Sequence, residues 1–311
     1  MKSQFNIITV LILKLIFGLK FNDSYVLNFI LIYGYYFQQT SNHNISLAVA
    51  LINLFASTFV RYMCGKNYKK ALIINMVIFS VLIYYHKIIS EFINPHVKHI
   101  IFFGIGYILL SMSEWIIHKY VMHCNKQSVF FSILSKFDCG GIAEEICDLH
   151  IQHHKEVRPN MDMIGVKNKK SLFMGWRVCV EVSIIAFLCF CIAKKISQIK
   201  IPYSALLILS IVSSVFWSYL WNKVHPLMHR YNKNYSLKEG PNDRILDFSL
   251  INKLFYRNHY FHHIQKGSKK GNYNVIVFGA DEWFGTNVQV INNKEYCSNP
   301  HSSNEEICKT S

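Results

Sequence analysis

Long apolar runs punctuate the chain at 46–60, 71–86, 99–117, 178–193 and 202–221, with little or no charge inside them. A helix takes about 20 residues at 1.5 Å each to cross a bilayer. The runs 99–117 and 202–221 reach that length, while the others need flanking Tyr, Trp or Lys to extend to the interface. Two weaker runs, Phe5–Phe21 and Tyr25–Phe37, are interrupted by Lys14 and separated by Asn22-Asp23-Ser24. They predict a short hairpin or two interfacial helices. A cleaved signal peptide is the rival for the first, but no small-x-small site follows it. No internal repeat is present. The pattern predicts an all-α, multispan integral membrane protein.

Between the runs the chain is polar and basic, over 61–70, 118–176 and 221–311. Lys and Arg concentrate in the last two stretches, so the positive-inside rule assigns both to the cytosol. The runs 178–193 and 202–221 form a hairpin joined by a Lys194-Lys195 loop, which returns the chain to the side it left. Residues 118–176 and 222–311 therefore share a face. Residues 1–96 read as N-terminal membrane segments and 288–311 as a polar tail. In a eukaryotic host the expected location is an endoplasmic-reticulum-type membrane.

Composition sharpens this picture. Apolar residues make up 51% of the 311 and charged residues 16%, against roughly 25% charged in soluble domains, and mean hydropathy is +0.19. Six Pro and 14 Gly are too few for a disordered or collagen-like chain. A small secreted scaffold and an acidic solvating protein are excluded as well. The formal charge of +15 fits basic membrane-facing ends and anionic lipid. No nucleic-acid-binding motif accompanies it, so no nucleic-acid partner is expected. Nine cysteines contain no CxxC pair, and they read as free thiols of a reducing compartment.

Histidine is the unusual count, at 15 residues. His43, His86, His96, His99 and His301 are scattered and read as structural. The other ten fall into four patterns: His118-x4-His123, His150-x2-His153-His154, His225-x3-His229 and His259-x2-His262-His263. Random placement of 15 histidines would put about one in so short a combined span. In HxxHH, residues i, i+3 and i+4 share a helix face, so three imidazoles can converge. His118 and His123 diverge by about 140° on an ideal helix. They would serve two different metals, or sit where a helix ends. Pro226 disfavours helix at His225, which places a break there with His229 one turn into the next helix.

Imidazole suits Fe, Zn, Cu and Ni, and ten ligands exceed what one ion can use. The paired Glu-x-x-His motifs of soluble di-iron carboxylate proteins are absent, as is HExxH. No cluster contains Cys, which argues against structural zinc. The residues therefore predict a histidine-rich two-metal site at a membrane surface, suited to oxygen activation. Metal-bound imidazoles usually donate their other N–H to a carboxylate or carbonyl. Glu114, Asp148, Glu144, Glu145 and Asp281 are available for that task, with Glu114 and Asp148 nearest the patterns; Glu144 and Glu145 read as solvated acids. Asn258 and Asn272 are candidates to tune or complete the metal surroundings.

The order HxxxxH, HxxHH, HxxxH, HxxHH resembles the fatty acid hydroxylase/sterol desaturase superfamily of integral-membrane di-iron enzymes. Glu114-Trp115 ahead of His118-Lys-Tyr-Val-Met-His123 resembles the first box, and Trp221-Asn-Lys-Val-His225-Pro-Leu-Met-His229 the third. Gly271-Asn-Tyr-Asn274 and Ala280-Asp-Glu-Trp-Phe-Gly-Thr286 look like the closing segments. The resemblance covers about residues 97–287 and implies that they form a catalytic domain, helical in the membrane, with a cytosolic helical cap that holds the metals. It implies two iron ions held by the ten histidines, with zinc as a possible substitute. It also implies dioxygen as oxidant, and hydroxylation or desaturation of a lipid in the bilayer, such as a sterol or fatty-acyl chain. Electrons would come from a separate cytochrome b5-type donor, since the chain has no His-Pro-Gly-Gly motif. Two other readings stand beside it: a metal-dependent membrane lipid hydrolase or lyase on the same site, and a non-catalytic paralogue or metal carrier.

Overall fold

The computed structural model describes residues 10–14, 25–64, 68–137, 141–157, 161, 174–229, 255–264 and 270–287. Most of the weak run Phe5–Phe21 and the whole polar tail 288–311 lie outside these residues. The described chain is 83% helical and contains no strands. Its helices are α1 (Tyr25–Thr40), α2 (His43–Cys64), α3 (Tyr68–Tyr84), α4 (His86–Ile93) and, after a 3-10 turn at Asn94–His96, α5 (Val97–Ile116). A π-helical turn, Ile117–Met122, continues α5. Then follow α6 (Val129–Phe137), α7 (Ile142–Glu156), α8 (Trp176–Ser197), α9 (Tyr203–Lys223), α10 (His225–Met228), α11 (Arg257–Ile264) and α12 (Ala280–Trp283).

Among the described residues, four stretches are long and apolar enough to cross a membrane: His43–Cys64, His86–Met122, Trp176–Ser197 and Tyr203–Lys223. They contain four of the five strong apolar runs. The fifth, 71–86, forms α3 and ends at Tyr84 after 17 residues, shorter than the length of about 20 that a full span takes. On α8 the outward row Val180, Ile184, Leu188, Ile192 and Ile196 repeats every four residues, the spacing of one helix face. Exposed apolar side chains on so long a stripe suit contact with lipid.

The chain divides into two compact units, residues 1–108 with 190–202, and residues 109–189 with 203–311. In the first, α1 and α2 pack through Ile32, Tyr36, Ala48, Val49 and Leu51, all buried. Asn42 caps α2, its Oδ1 accepting from the N–H groups of Asn44 and Ile45 at 3.0 and 3.1 Å, which satisfies two of the orphan donors of a helix start. Tyr36 Oη donates to the Leu82 carbonyl at 2.5 Å and ties α1 to α3.

The second unit carries all four histidine patterns. Its apolar clusters surround them: Val121, Phe131, Ala143 and Cys147 on one side, and Met122, Trp221, Val275 and Ile276 on another.

Candidate metal centre

The first pattern sits on the π turn that ends α5. The backbone bonds His123 N–H to His118 C=O, 3.2 Å, and Asn125 N–H to Tyr120 C=O, 3.1 Å, each skip five residues. A π turn is wider than an α turn, so residues five apart come onto one face. The His118 and His123 rings accordingly stack, 5.3 Å between centroids and 6° between planes. Of the two readings of this spacing, the helix does end here, but the two rings share one group. Cys124, at φ 55, then turns the chain away.

On α7, His150, His153 and His154 share a face as their spacing requires. α9 ends at Lys223, and α10 is a single turn from His225 to Met228. The break thus falls at Val224, with His225 opening the new turn and His229 closing it. Pro226 fits there because the first turn of a helix uses none of its own N–H groups. α11 supplies His259, His262 and His263.

Together these elements bring all ten histidines into one cluster with two halves, in which only His123, His154 and His263 are half-buried and the others buried. His118, His123, His150 and His262 form one group whose ligand nitrogens lie within 4.8 Å of one another; His153, His229, His259 and His263 form a second. His154 joins the first, its Nε2 3.0 Å from both His150 Nε2 and His262 Nε2. His225 joins the second, its Nε2 3.2 Å from His229 Nε2. Each HxxHH motif therefore contributes to both halves. Within the second group His153 Nε2 lies 3.2 Å from His263 Nε2, and the halves touch where the His154 and His263 rings come to 4.2 Å between centroids.

These spacings fit metal ions. Ligands held about 2.0–2.1 Å from a centre at right or tetrahedral angles lie roughly 2.8–3.4 Å apart. The Nε2 pairs His118–His150, His123–His262 and His263–His259 are 3.1, 3.2 and 3.1 Å apart; only His259–His229, at 2.7 Å, is closer. The tautomers agree. His118 Nδ1 faces the Tyr273 carbonyl at 2.5 Å and His262 Nδ1 the Gly271 carbonyl at 2.9 Å. A carbonyl only accepts, so each Nδ1 carries the proton and each neutral ring turns a bare Nε2 lone pair inward. Burial pushes His123, His150, His153, His154, His229, His259, His262 and His263 well below the ordinary imidazole value, and neighbouring rings push them further. Ten mostly neutral imidazoles aiming lone pairs at one another are poorly satisfied without a cation.

The carbonyls come from the segment 270–287, fixed to the end of α5 by buried polar contacts. Asp281 accepts from the N–H groups of Tyr273 at 2.9 Å and Asn274 at 2.6 Å, and from Thr286 Oγ1 at 2.7 Å. Burial pushes its pKa above the ordinary carboxylate value, while those donors pull it back down. Ser111 Oγ donates to the Val277 carbonyl and accepts from Ala280 N–H, at 2.8 and 2.9 Å. Gly279, at φ +137, lets the chain pass over Trp283; a Cβ there would lie 2.6 Å from that indole.

Glu114 supports the site differently from the sequence expectation. Its carboxylate accepts the N–H groups of Val275, Ile276 and Val277 at 3.2, 2.9 and 2.6 Å, so it holds the carbonyl-bearing segment rather than a ring. Asp148 is exposed, and its carboxylate neighbours Cys147 Sγ at 3.9 Å; among the described residues it reaches no histidine. Asn258 donates through Nδ2 to the Asn274 carbonyl, and Asn272 Nδ2 to the Asn258 carbonyl at 3.2 Å. Both amides thus tie α11 to the 270–287 segment. Lys270 was not foreseen: its Nζ lies 2.9 Å from His123 Nδ1, and burial lowers it to about 8. Main-chain carbonyls leave no mark in a sequence, so Gly271 and Tyr273 could be found only as part of the Gly271–Asn274 segment.

His43, His86, His96 and His99 lie outside both groups, and His301 outside the described residues. The reading of all cysteines as free thiols is corrected. Cys124 and Cys147 form a disulfide, their Cα atoms brought to 5.2 Å by the π turn and α7, within the ordinary range for such a bond. Cys64, Cys179, Cys189 and Cys191 are free; Cys139, Cys297 and Cys308 lie outside the described residues.

No protein-family model, no curated protein and no solved structure matches this chain.

Proposed function

We propose that this protein is a membrane di-iron oxygenase that hydroxylates or desaturates a lipid, such as a sterol or fatty-acyl chain, using dioxygen and electrons from a separate donor protein. The observation that carries the reading is the two-part cluster of ten imidazoles, seven buried and three half-buried, with facing nitrogens about 3 Å apart. The four apolar helices and the resemblance of the four patterns and closing segments to membrane hydroxylases add the lipid and the oxygen. Two iron ions bound here would supply the activation of dioxygen needed to attack an unactivated C–H bond.

The chain's own residues do the rest. His118, His123, His150, His154 and His262 would hold one ion, and His153, His225, His229, His259 and His263 the other. The carbonyls of Tyr273 and Gly271 keep the protons of His118 and His262 on Nδ1, which leaves Nε2 bare for the metal. Met122, Trp221, Val275 and Ile276 pack beside the cluster and exclude water, which protects reactive oxygen species from side reactions. The cytosolic orientation of the site belongs to the same proposal and rests on the positive-inside pattern of the loops.

Lipid analysis of cells expressing the protein, with and without oxygen, tests the reading. The expected result is a lipid that gains one oxygen atom or loses two hydrogens only in air. A lipid product that forms equally without oxygen would move the activity to hydrolysis or lysis on the same site.

A further inference from the structure

The Cys124–Cys147 bond occupies a telling place. Cys124 directly follows His123, and Cys147 lies one turn ahead of His150 on α7, so the bond joins the two elements that present His118, His123 and His150. Those three rings meet: His118 Nε2 is 3.1 Å from His150 Nε2, and the His123 and His150 centroids are 4.7 Å apart. Among the described residues the second group has no such tie. Cys124 also adopts the left-handed conformation, φ 55, which a side chain rarely takes unless its surroundings impose it. The bond fixes that residue just where the chain leaves the ligand-bearing turn.

Access is one-sided. Cys147 is 1% exposed and packs among Val121, Phe131 and Ala143, whereas Cys124 is half-buried. A reagent therefore reaches the pair through Cys124.

We infer that Cys124 and Cys147 form a reversible redox clamp that regulates metal retention in the first histidine group; this rests on the metal reading of the site. Closing the clamp consumes one peroxide. The peroxide oxidises the Cys124 thiol to a sulfenic acid with release of water, and the Cys147 thiol displaces the second water as the S–S bond forms. A dithiol opens it. One of its sulfurs attacks Cys124 Sγ, Cys147 leaves as the thiolate and takes up a proton, and the second sulfur of the dithiol frees Cys124 as that reagent becomes a disulfide. With the clamp closed, the π turn and α7 stay in register. Open, the turn bearing His118 and His123 moves away from His150 more readily, and the ion held there escapes faster.

The test uses the full chain in detergent and zinc, which has no redox chemistry of its own. Metal-free protein is treated with hydrogen peroxide or with a phosphine reductant, freed of reagent and loaded with zinc. Zinc release to EDTA is then followed, and the bond is mapped by mass spectrometry. The expected result is a Cys124–Cys147 linked peptide after peroxide, with one of two bound zinc ions leaving about tenfold faster from the reduced protein. A Cys124→Ser/Cys147→Ser variant should release zinc at the fast rate under both treatments. Should that variant not fold, the reduced wild type still gives the comparison. Equal release rates from both forms, or no linked peptide after peroxide, would overturn the clamp and leave the metal site standing. Absence of bound zinc in every form would overturn both readings.

Discussion

In the first histidine group, His118 and His262 each donate Nδ1–H to a main-chain carbonyl, at 2.5 and 2.9 Å. In the second, the Nδ1 atoms of His153, His229, His259 and His263 are buried without a hydrogen-bond partner among the described residues. The first group rests on a segment fixed by Asp281, Glu114 and Ser111. The second rests on helix spacing and packing, with the Trp221 indole stacked 4.5 Å from the His225 ring. Partners that fix a ligand's tautomer and orientation commonly change metal affinity by about 10–100-fold. The comparison teaches that similar ligand sets can be unequally preorganised; on the proposed metal reading, the first group is expected to be the tighter site.

Removing a ligand from each half gives the largest expected effect. His262→Ala should weaken one of the two ions by at least about 100-fold, and His259→Ala should weaken the other. Calorimetric titration of each variant with zinc checks this. One tight site should survive in both, and the survivor in His259→Ala should be the tighter.

Acid comes next. Buried histidines held below the ordinary value of 6.5 bind fewer protons folded than unfolded. Stability is therefore full above about pH 6.5 and falls as the pH drops below it, on the order of 1.4 kcal/mol per pH unit for each histidine fully titrating. Thermal melts of the metal-free protein between pH 8 and 5 should show melting temperature falling on the acid side. In loaded protein, the second group should lose its ion at the higher pH.

Asp281→Asn acts on the first group alone. It replaces a buried carboxylate that accepts two backbone N–H groups and a hydroxyl. The expected cost is about 1–3 kcal/mol of stability, with roughly tenfold weaker binding of one ion. Chemical denaturation and zinc titration would read both. Lys119→Gln should do least. Its Nζ lies 4.3 Å from the Trp115 ring centroid, and such a contact from a half-buried lysine contributes about 1 kcal/mol, which chemical denaturation would read. Equal binding of both ions in Asp281→Asn would break the comparison; selective loss of one would sharpen it.

How much of this is legible in the sequence follows from which groups carry it. The helices show because apolar runs are long, and the ten histidines show because their spacing repeats a helix face. The pairing of His118 with His123 does not show, because it depends on a π turn that a spacing of five on an α-helix argues against. The division of each HxxHH motif between two groups is likewise invisible, since the motif fixes a face and not the partner. Glu114 is visible as an acid near the first pattern, but its partners are three backbone N–H groups that any residue at 275–277 would offer. The Cys124–Cys147 bond depends on the same turn.

The central claim is the two-ion site, and counting metal tests it most directly. Protein purified in detergent from iron-supplemented cells should hold about two iron ions per chain, one for each histidine group. A His153→Ala/His262→Ala variant, altered once in each half, should lose most of both. Wild-type protein without bound metal, or a metal content unchanged in the variant, would contradict the account.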